Sequence, residues 1–321
     1  MTLPAEMNLP RVSVLVPAKD EADNLPEFMR QAAATFASEP GKYEVVVIDD
    51  GSTDATPAVL AQLEAEYPFL HSVRHRNRRG IADALRTGYM HSRGDVLVFY
   101  PADLQFKPED IPKLVNPILA GEVDMMTGRK EGEYDKAFVS GIYNGLSRRL
   151  FDVPVRDLNS VKAYRREIMA ALPVRPDWHR YMIVVAAHSG FTVGETPIPL
   201  YPRMAGKSKF GISRIPIGVL DMLAVWFELR FARKPLLLFG MLGAFLFCVG
   251  VVTGIVAVLY RIIAGVGFRP LLTLVEVCLI LGSVFFATGL LAELMAAQRA
   301  EIAELRRRVE EALAREPGLH R

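Results

Sequence analysis

Short runs of β-branched and aliphatic residues alternate with amphipathic stretches along the N-terminal part of the chain. Val12 to Val16, Glu44 to Ile48 and Asp95 to Tyr100 are apolar runs short enough for buried strands, each with a turn residue at or near its end. Helical periodicity covers Leu25 to Ala37, Pro57 to Tyr67, Ile81 to Ser92 and Pro108 to Ala120. Asp54 and Thr56 are candidate caps, and Pro108 suits a first helical turn. Such βαβ alternation predicts an α/β domain over residues 1–212, built on a mainly parallel sheet that binds ligands at the carboxyl ends of its strands.

Beyond residue 212 the pattern changes. Over residues 213–234, Arg214, Asp221 and Glu228 recur every seven residues as a narrow polar stripe on a helix otherwise filled by Ile217, Leu220, Leu223, Trp226, Phe227 and Phe231. This predicts a juxtamembrane helix at the interface, with an ordinary buried amphipathic helix as the alternative. Residues 235–260 carry no charge, and 270–292 carry only Glu276, so each stretch reaches the ~20 residues that cross a bilayer. The short connection from Arg261 to Arg269 folds the two spans of 235–292 into an antiparallel hairpin. That connection has two arginines, against Lys207, Lys209, Arg214, Arg230, Arg233 and Lys234 before the hairpin and Arg299 and Arg306 to Arg308 after it. The bias predicts an integral protein of the cytoplasmic membrane with both termini in the cytoplasm. In the helical tail, residues 293–321, apolar positions spaced by three and four read as a short coiled coil or as a helix end covering a neighbour. Glu276 either reaches the interface, pairs with Arg269 or Arg261, or faces another subunit of a homo-oligomer, dimer or tetramer.

Composition sharpens this picture in three ways. Hydrophobic residues make up 51% of the chain, and the excess sits in the two spans, which excludes an entirely soluble protein. A net charge of +2 with acids and bases intermixed argues against nucleic acid as a partner. Both cysteines, Cys248 and Cys278, lie inside the spans, so the aqueous part has no disulfide framework and no thiolate metal site. MTLPAEMNLPR has no apolar stretch of signal-peptide length, so the N-terminal part is expected to stay on the side where it is made.

Candidate chemistry begins at VVVIDDGSTDAT, where a strand ends in Asp49 and Asp50 before a tight turn. These acids suit either the reading of a nucleotide or the capping of the next helix. Asp103 follows the strand DVLVFY, with Gln105 two residues on; on an extended segment such positions face one side. An oxygen pair of this kind holds magnesium or manganese, or lies in a solvated turn. Arg74, His75, Arg76, Arg78 and Arg79 form a basic run that reads mostly as solvated surface, with Arg79 beside Gly80 the best candidate for a phosphate contact.

Taken together, VSVLVPAKDEADNL, VVVIDDGSTDAT, NRRGIADALRTGY, GDVLVFYPADLQF, GRKEG, VRDLNSVKAYRRE and YPRMAGKSKFG occur in the order of the family 2 glycosyltransferases. More narrowly, residues 10–212 and the two-span hairpin resemble the polyprenyl-phosphate glycosyltransferases, which load dolichyl or undecaprenyl phosphate with one sugar. The resemblance implies a GT-A fold, a nucleotide-sugar donor (UDP- or GDP-linked), a polyprenyl-phosphate acceptor and inversion at the anomeric carbon. It implies that Pro17, Lys19, Glu21, Ile48 and Asp50 line the base and ribose pocket. Asp103 and Gln105 match metal ligands for Mg2+ or Mn2+, with Ala102 between the strand and Asp103. Arg129 matches an arginine near the donor or acceptor phosphates. Arg203 and Lys209, with Ser208 beside them, match a basic motif that closes over phosphates, and Asp157 is the acid nominated to orient the acceptor or those basic groups. A loop carboxylate paired with Arg156 or Arg165 is the plainer reading of Asp157.

One position departs from the family. Where an Asp-x-Asp motif carries its first acid, this chain has Pro101, which supplies no ligand, so a metal contact is lost unless Asp49, Asp50 or water replaces it. The outcomes are weaker metal use, metal-independent transfer aided by arginines, or donor binding without catalysis. A lipid monophosphate with a second pKa near ~6 is mostly anionic at neutral pH and attacks without a strong general base. A diacylglycerol or other lipid hydroxyl acceptor is the enzymatic alternative and would demand such a base. A non-catalytic nucleotide-sugar-binding scaffold is the reading from another class. A processive polysaccharide synthase is disfavoured, since Trp178 and Arg180 in DWHRYM do not match its Gln-x-x-Arg-Trp order.

Overall fold

In the computed structural model the described residues are 10–131, 145, 150–151, 153, 155–158, 160–171, 178–202, 215–231, 234–267 and 269–315. The chain divides into two compact units, Met1–Met222 and Leu223–Arg321.

The first unit is built on seven strands: β1 (Val12–Ala18), β2 (Tyr43–Asp49), β3 (Leu70–Arg74), β4 (Val96–Phe99), β5 (Met125–Glu131), β6 (Lys162–Arg165) and β7 (Val193–Pro199). Their order across the sheet is β3-β2-β1-β4-β6-β5-β7. Every strand runs the same way except β6, which is antiparallel to both β4 and β5. The expected mainly parallel sheet is thus present. Central β1 and β2 are buried on both faces, which is why their sequences read as near-continuous apolar runs and not as alternation.

Helices α1 (Leu25–Phe36), α2 (Thr56–Glu66), α3 (Ile81–His91) and α4 (Ile111–Leu119) connect the first strands. On α1, Leu25, Phe28, Met29, Ala32 and Phe36 form one buried stripe against Val12, Val14, Val45 and Val47. Burying each large apolar side chain of this kind stabilises the fold by about 1.5–3 kcal/mol. The N-cap position of α2 falls to Ala55, between the two expected caps Asp54 and Thr56. The Asp54 carboxylate accepts the Thr56 N–H at 3.0 Å, but the Thr56 hydroxyl accepts the Glu21 N–H at 2.9 Å and so ties two loops together instead of capping. Pro108 opens a 3-10 turn (Pro108–Asp110) that leads into α4. Among the described residues, α5 (Arg166–Ala171) and α6 (Met182–His188) follow ahead of α7 (Ile215–Phe231). The division between the two units falls within α7.

The second unit carries α8 (Pro235–Ala264) and α9 (Arg269–Arg315). Both are long and apolar enough to cross a membrane, and only 17% of the most apolar stretch of each is buried within the chain, unlike the core helix of a soluble protein. As a helix, α9 continues unbroken from the expected second span through the tail to Arg315. The two helices touch through glycine. A Cβ at Gly243 would lie 2.5 Å from the Phe286 nitrogen, and one at Gly282 would lie 2.6 Å from the Phe247 nitrogen. Lipid supplies no hydrophobic drive to bring helices together, so close backbone approach at small residues is what packs them. The Glu293 carboxylate accepts the Leu236 N–H at 3.2 Å, satisfying a first-turn donor of α8. Glu276 is on the exposed side of α9 and makes no ion pair with Arg269 or Arg261 among the described residues.

Candidate active site

The strand order reverses at β1: β2 and β3 lie on one side of it, and the chain crosses to place β4 on the other. In an open α/β sheet the crevice outside the carboxyl ends of strands at such a switch point is where ligands bind. The residues at these ends are the ones that sequence reasoning singled out.

After β1 comes a loop stitched to the loop after β2. Lys19 Nζ donates to the Gly51 carbonyl at 2.7 Å and lies 3.2 Å from the Asp20 carboxylate, which in turn accepts the Thr53 N–H at 2.9 Å. The Glu21 carboxylate accepts from Asn24 Nδ2 at 2.7 Å. Pro17, Lys19 and Glu21 are half-buried along this rim. Gly51 has φ of +70°, and a Cβ there would lie 2.8 Å from the Asn77 carbonyl carbon, so the turn needs glycine both for its backbone and for its neighbour. Ile48 is wholly buried in the sheet.

Asp50 is the centre of a buried knot. One carboxylate oxygen accepts from His75 Nδ1 at 2.9 Å and from the Arg79 N–H at 2.7 Å; the other accepts the Gly80 N–H at 2.8 Å. His75 Nε2 lies 2.8 Å from the Thr87 hydroxyl. Burial pushes the Asp50 pKa up, but the Arg79 N–H, His75 and the Gly80 N–H more than offset this and hold it below the usual range. Asp50 therefore fixes the Asn77–Gly80 loop. Asp49 Oδ1 accepts the Ser52 N–H at 2.8 Å, and Arg74 Nε is 3.2 Å from Oδ2, too poorly aimed for a hydrogen bond. Both acids hold loops on the β2 side, two strand spacings of about 4.8 Å each from β4.

The segment after β4 is a tight loop, not an extended one, and Leu104 sits in the left-handed region with φ of 56°. The expected alternation holds nonetheless: Ala102, Leu104 and Phe106 are buried, and Asp103 and Gln105 are the more exposed pair. The buried Tyr100 hydroxyl closes the loop by donating to the Lys107 carbonyl at 2.6 Å. Asp103 Oδ1 accepts the Gln105 N–H at 3.3 Å, and the Gln105 carbonyl accepts the Tyr201 N–H at 2.9 Å. Lys107 Nζ lies over the Tyr201 ring, 4.2 Å from its centroid. The exit of β7, two residues before Arg203, is thus fastened to the loop carrying Asp103. Arg203, Ser208 and Lys209 lie outside the described residues.

Arg129, near the end of β5, is half-buried and donates to Glu131 at 3.0 Å. Asp157 forms an ion pair with a residue other than the expected Arg156 or Arg165. Lys130 lies 3.3 Å from it, while Arg165 pairs with Asp124 at 3.0 Å. The backbone N–H groups of Arg156 and Asp157 both donate to Glu195, at 2.6 and 3.0 Å. Lys130, Lys162, His75 in its Asp50 role, and Glu195 are not singled out by the sequence pattern.

As a cation site, the loop offers one carboxylate, one side-chain amide and a proline. That donor set fits a hard cation such as magnesium, which takes one or two carboxylates and fills its remaining positions with water and substrate phosphates. Among the described residues no cluster of three or more His, Cys, Asp or Glu side chains exists.

Comparison with known proteins gives the following. Residues 13–158 match the family described as glycosyl transferase family 2. The dodecaprenyl-phosphate galacturonate synthase of Rhizobium johnstonii is 31% identical over 296 residues, covering 89% of this chain and 87% of that protein. An undecaprenyl-phosphate 4-deoxy-4-formamido-L-arabinose transferase of Sodalis glossinidius is 27% identical, covering 91% of this chain and 90% of that protein. The crystal structure of glucosyl-3-phosphoglycerate synthase from Mycobacterium tuberculosis, in complex with Mn2+, UDP and phosphoglyceric acid, shares the fold. It has a TM-score of 0.55 and 19% identity over 68% of this chain and 78% of that one.

Proposed function

The chain belongs to glycosyl transferase family 2 and is a glycosyltransferase, and from that premise we propose that it transfers one sugar, with inversion, from a UDP- or GDP-linked donor to polyprenyl phosphate at the cytoplasmic face of the membrane. The names of two relatives that align with it over most of their length support the acceptor. One observation carries the reading. The Asp103–Gln105 loop stands at the carboxyl end of β4 at the switch point and is bonded through Gln105 to the strand that leads into Arg203. The apolar hairpin α8–α9 on the same chain suits a lipid acceptor.

In this reading the donor nucleotide lies against Pro17, Lys19 and Glu21, with the Asn77–Gly80 loop held to it by Asp50. Asp103 and the Gln105 amide would hold Mg2+ or Mn2+, whose chemistry is to neutralise charge on the diphosphate leaving group. Arg129, Arg203 and Lys209 meet phosphate oxygens with charge-assisted hydrogen bonds. Asp157 is held by Lys130 and by the Glu195-bound loop, an arrangement suited to orienting cationic groups. The acceptor needs no proton removed at neutral pH, because its second pKa is near ~6. We further propose that both termini are cytoplasmic and that the chain forms a homo-oligomer, with Glu276 turned toward another subunit.

The test is direct. Purified protein is incubated with UDP- and GDP-sugars and either undecaprenyl phosphate or diacylglycerol, with and without Mg2+ or Mn2+, and products are identified by mass. A polyprenyl-phosphate monosaccharide is expected; product on diacylglycerol alone, or none with any donor, would sink the reading.

A further inference from the structure

Helix α9 presents two rows of side chains with different surroundings. Gly282, Phe286, Gly289 and Glu293 face α8: Gly282 and Phe286 lie against Phe247 and Gly243, Gly289 lies against Gly240, and the Glu293 carboxylate accepts the Leu236 N–H. Leu291, Met295, Gln298, Ile302 and Leu305 repeat with the same spacing of four and three. This second row is displaced from the first by two residues, about 200° around the helix, so it points away from α8. All five of its residues are exposed, and Leu291, Met295, Ile302 and Leu305 are each more than half exposed.

Lipid does not cover this row in the tail. α9 is unbroken over 47 residues. At ~1.5 Å per residue that is about 70 Å, against ~30 Å of hydrocarbon in a bilayer. A helix that crosses the membrane and continues without a break leaves the surface instead of lying along it. The apolar row beyond the span therefore stands in water, where burying it against a protein surface is favourable.

The residues of the row and its flanks suit another α9. In a heptad repeat lettered a to g, Met295 and Ile302 take a, and Leu291, Gln298 and Leu305 take d. Isoleucine at a with leucine at d favours two parallel strands, and parallel is the orientation imposed on two copies inserted the same way. Glu301, which is exposed, takes g, and the sequence has Arg306 at the next e. In a parallel pair the g position of one helix meets the e position five residues on in the other, so opposite charges meet once on each side of the interface. Gln298 at d meets its own copy when the two helices are in register, and a polar residue inside such a core sets that register.

We propose that this row of α9 is the core of a parallel, in-register coiled coil between two copies of the chain, formed by the tail beyond the membrane and aligned by Gln298 and by the Glu301–Arg306 charges. This rests on the homo-oligomer reading above and assigns the surface that joins two of its subunits. Glu276 takes c in the same repeat, outside the row, so a contact made through Glu276 and one made through the tail are separable by mutation.

The experiment uses the full-length chain in detergent with Cys248 and Cys278 replaced by alanine, bearing either Leu305→Cys at d or Ala300→Cys at f, on the far side of the helix. Light scattering gives the assembled mass, and mild oxidation followed by denaturing electrophoresis without reductant gives the cross-linked fraction. Leu305→Cys is expected to yield at least ~5-fold more covalent dimer than Ala300→Cys, in a proportion unchanged on dilution. Gln298→Cys, also at d, should behave as Leu305→Cys does and decides the matter if that variant does not fold. Glu301→Arg should lower the cross-linking several-fold, and adding Arg306→Glu should restore it. An assembled protein with no covalent dimer through either d position, or with equal dimer through Ala300→Cys, overturns the coiled coil and leaves the homo-oligomer reading standing. A charge reversal without effect, or without rescue, overturns the parallel register. A monomeric mass before oxidation overturns the homo-oligomer reading and the coiled coil together.

Discussion

The amide N–H of Tyr201 donates to the carbonyl oxygen of Gln105 at 2.9 Å, joining the exit of β7 to the loop that carries Asp103. The proposed cation loop and the segment leading to Arg203 therefore share a backbone bond, and what disturbs one is transmitted to the other.

With Pro101 two residues before it, Asp103 is the one carboxylate in the Pro101–Lys107 loop. Asp103→Ala should lower turnover at least ~100-fold, because no other donor in the loop carries charge. Pro101→Asp should shift the Mg2+ and Mn2+ titrations to lower concentration. Product formation against metal concentration checks both; near-normal turnover of Asp103→Ala removes the cation from this loop.

Arg129, Arg203 and Lys209 can be ranked by single substitutions. A hydrogen bond to a charged group contributes about 1.5–3 kcal/mol, so alanine at each should slow transfer by roughly one to two powers of ten. Arg203→Lys should recover only part of the loss, since lysine cannot make a two-pronged contact. Initial rates at saturating substrate settle the matter, and three variants with wild-type rates would falsify the phosphate assignment.

Asp50→Asn keeps shape and removes charge. Its amide would aim hydrogens at the N–H groups of Arg79 and Gly80 or at His75, leaving donors unmet at a cost of about 1–3 kcal/mol. We expect a lower melting temperature and donor binding weakened roughly five- to a hundredfold, read by calorimetry with UDP and GDP. Unchanged nucleotide affinity in a destabilised protein would mean that the Asn77–Gly80 loop serves the fold alone.

Acid should destabilise the first unit through two buried groups. His179 has its pKa lowered from 6.5 to about 3, so between these values the unfolded chain binds a proton that the folded one does not, and stability falls as pH drops through that window. Burial raises the Glu44 pKa, but the Ser13 hydroxyl and Arg93 more than offset this and hold it below its ordinary 4.5. Its contribution is present above pH 4.5 and is lost as pH falls through the folded value. In a folded His179→Gln variant, the drop in melting temperature between about pH 7.5 and pH 4 should be smaller than in the wild type; an equal drop would place the acid sensitivity elsewhere.

What could be read from sequence followed burial. β1, β2 and β4 lie in the middle of the sheet, where two-sided burial leaves unbroken apolar runs. β7 is an edge strand, VGETPIP, with two prolines and a glutamate that an edge tolerates and a centre does not, so it does not announce itself. β6 begins with the buried Lys162, a residue that no pattern assigns to an interior. In the site, Asp103 and Gln105 were legible because local alternation sets which side they share, even on a bent loop. Asp50 was legible as an acid at a strand end, but its partners His75, Arg79 and Gly80 come from 25 to 30 residues further on, and only the fold assembles them. Asp157 meets Lys130, 27 residues before it on β5, for the same reason.

The glycine contacts of the hairpin imply an uneven tolerance to change. Lipid accepts almost any apolar side chain, so exchange among leucine, isoleucine, valine and phenylalanine at exposed Phe245 or Val252 alters little that the bilayer registers. At Gly243 and Gly282 even one methyl group meets the backbone of the opposite helix. Saturation mutagenesis of the two spans should then trace a single seam of intolerance running through an otherwise permissive pair of helices.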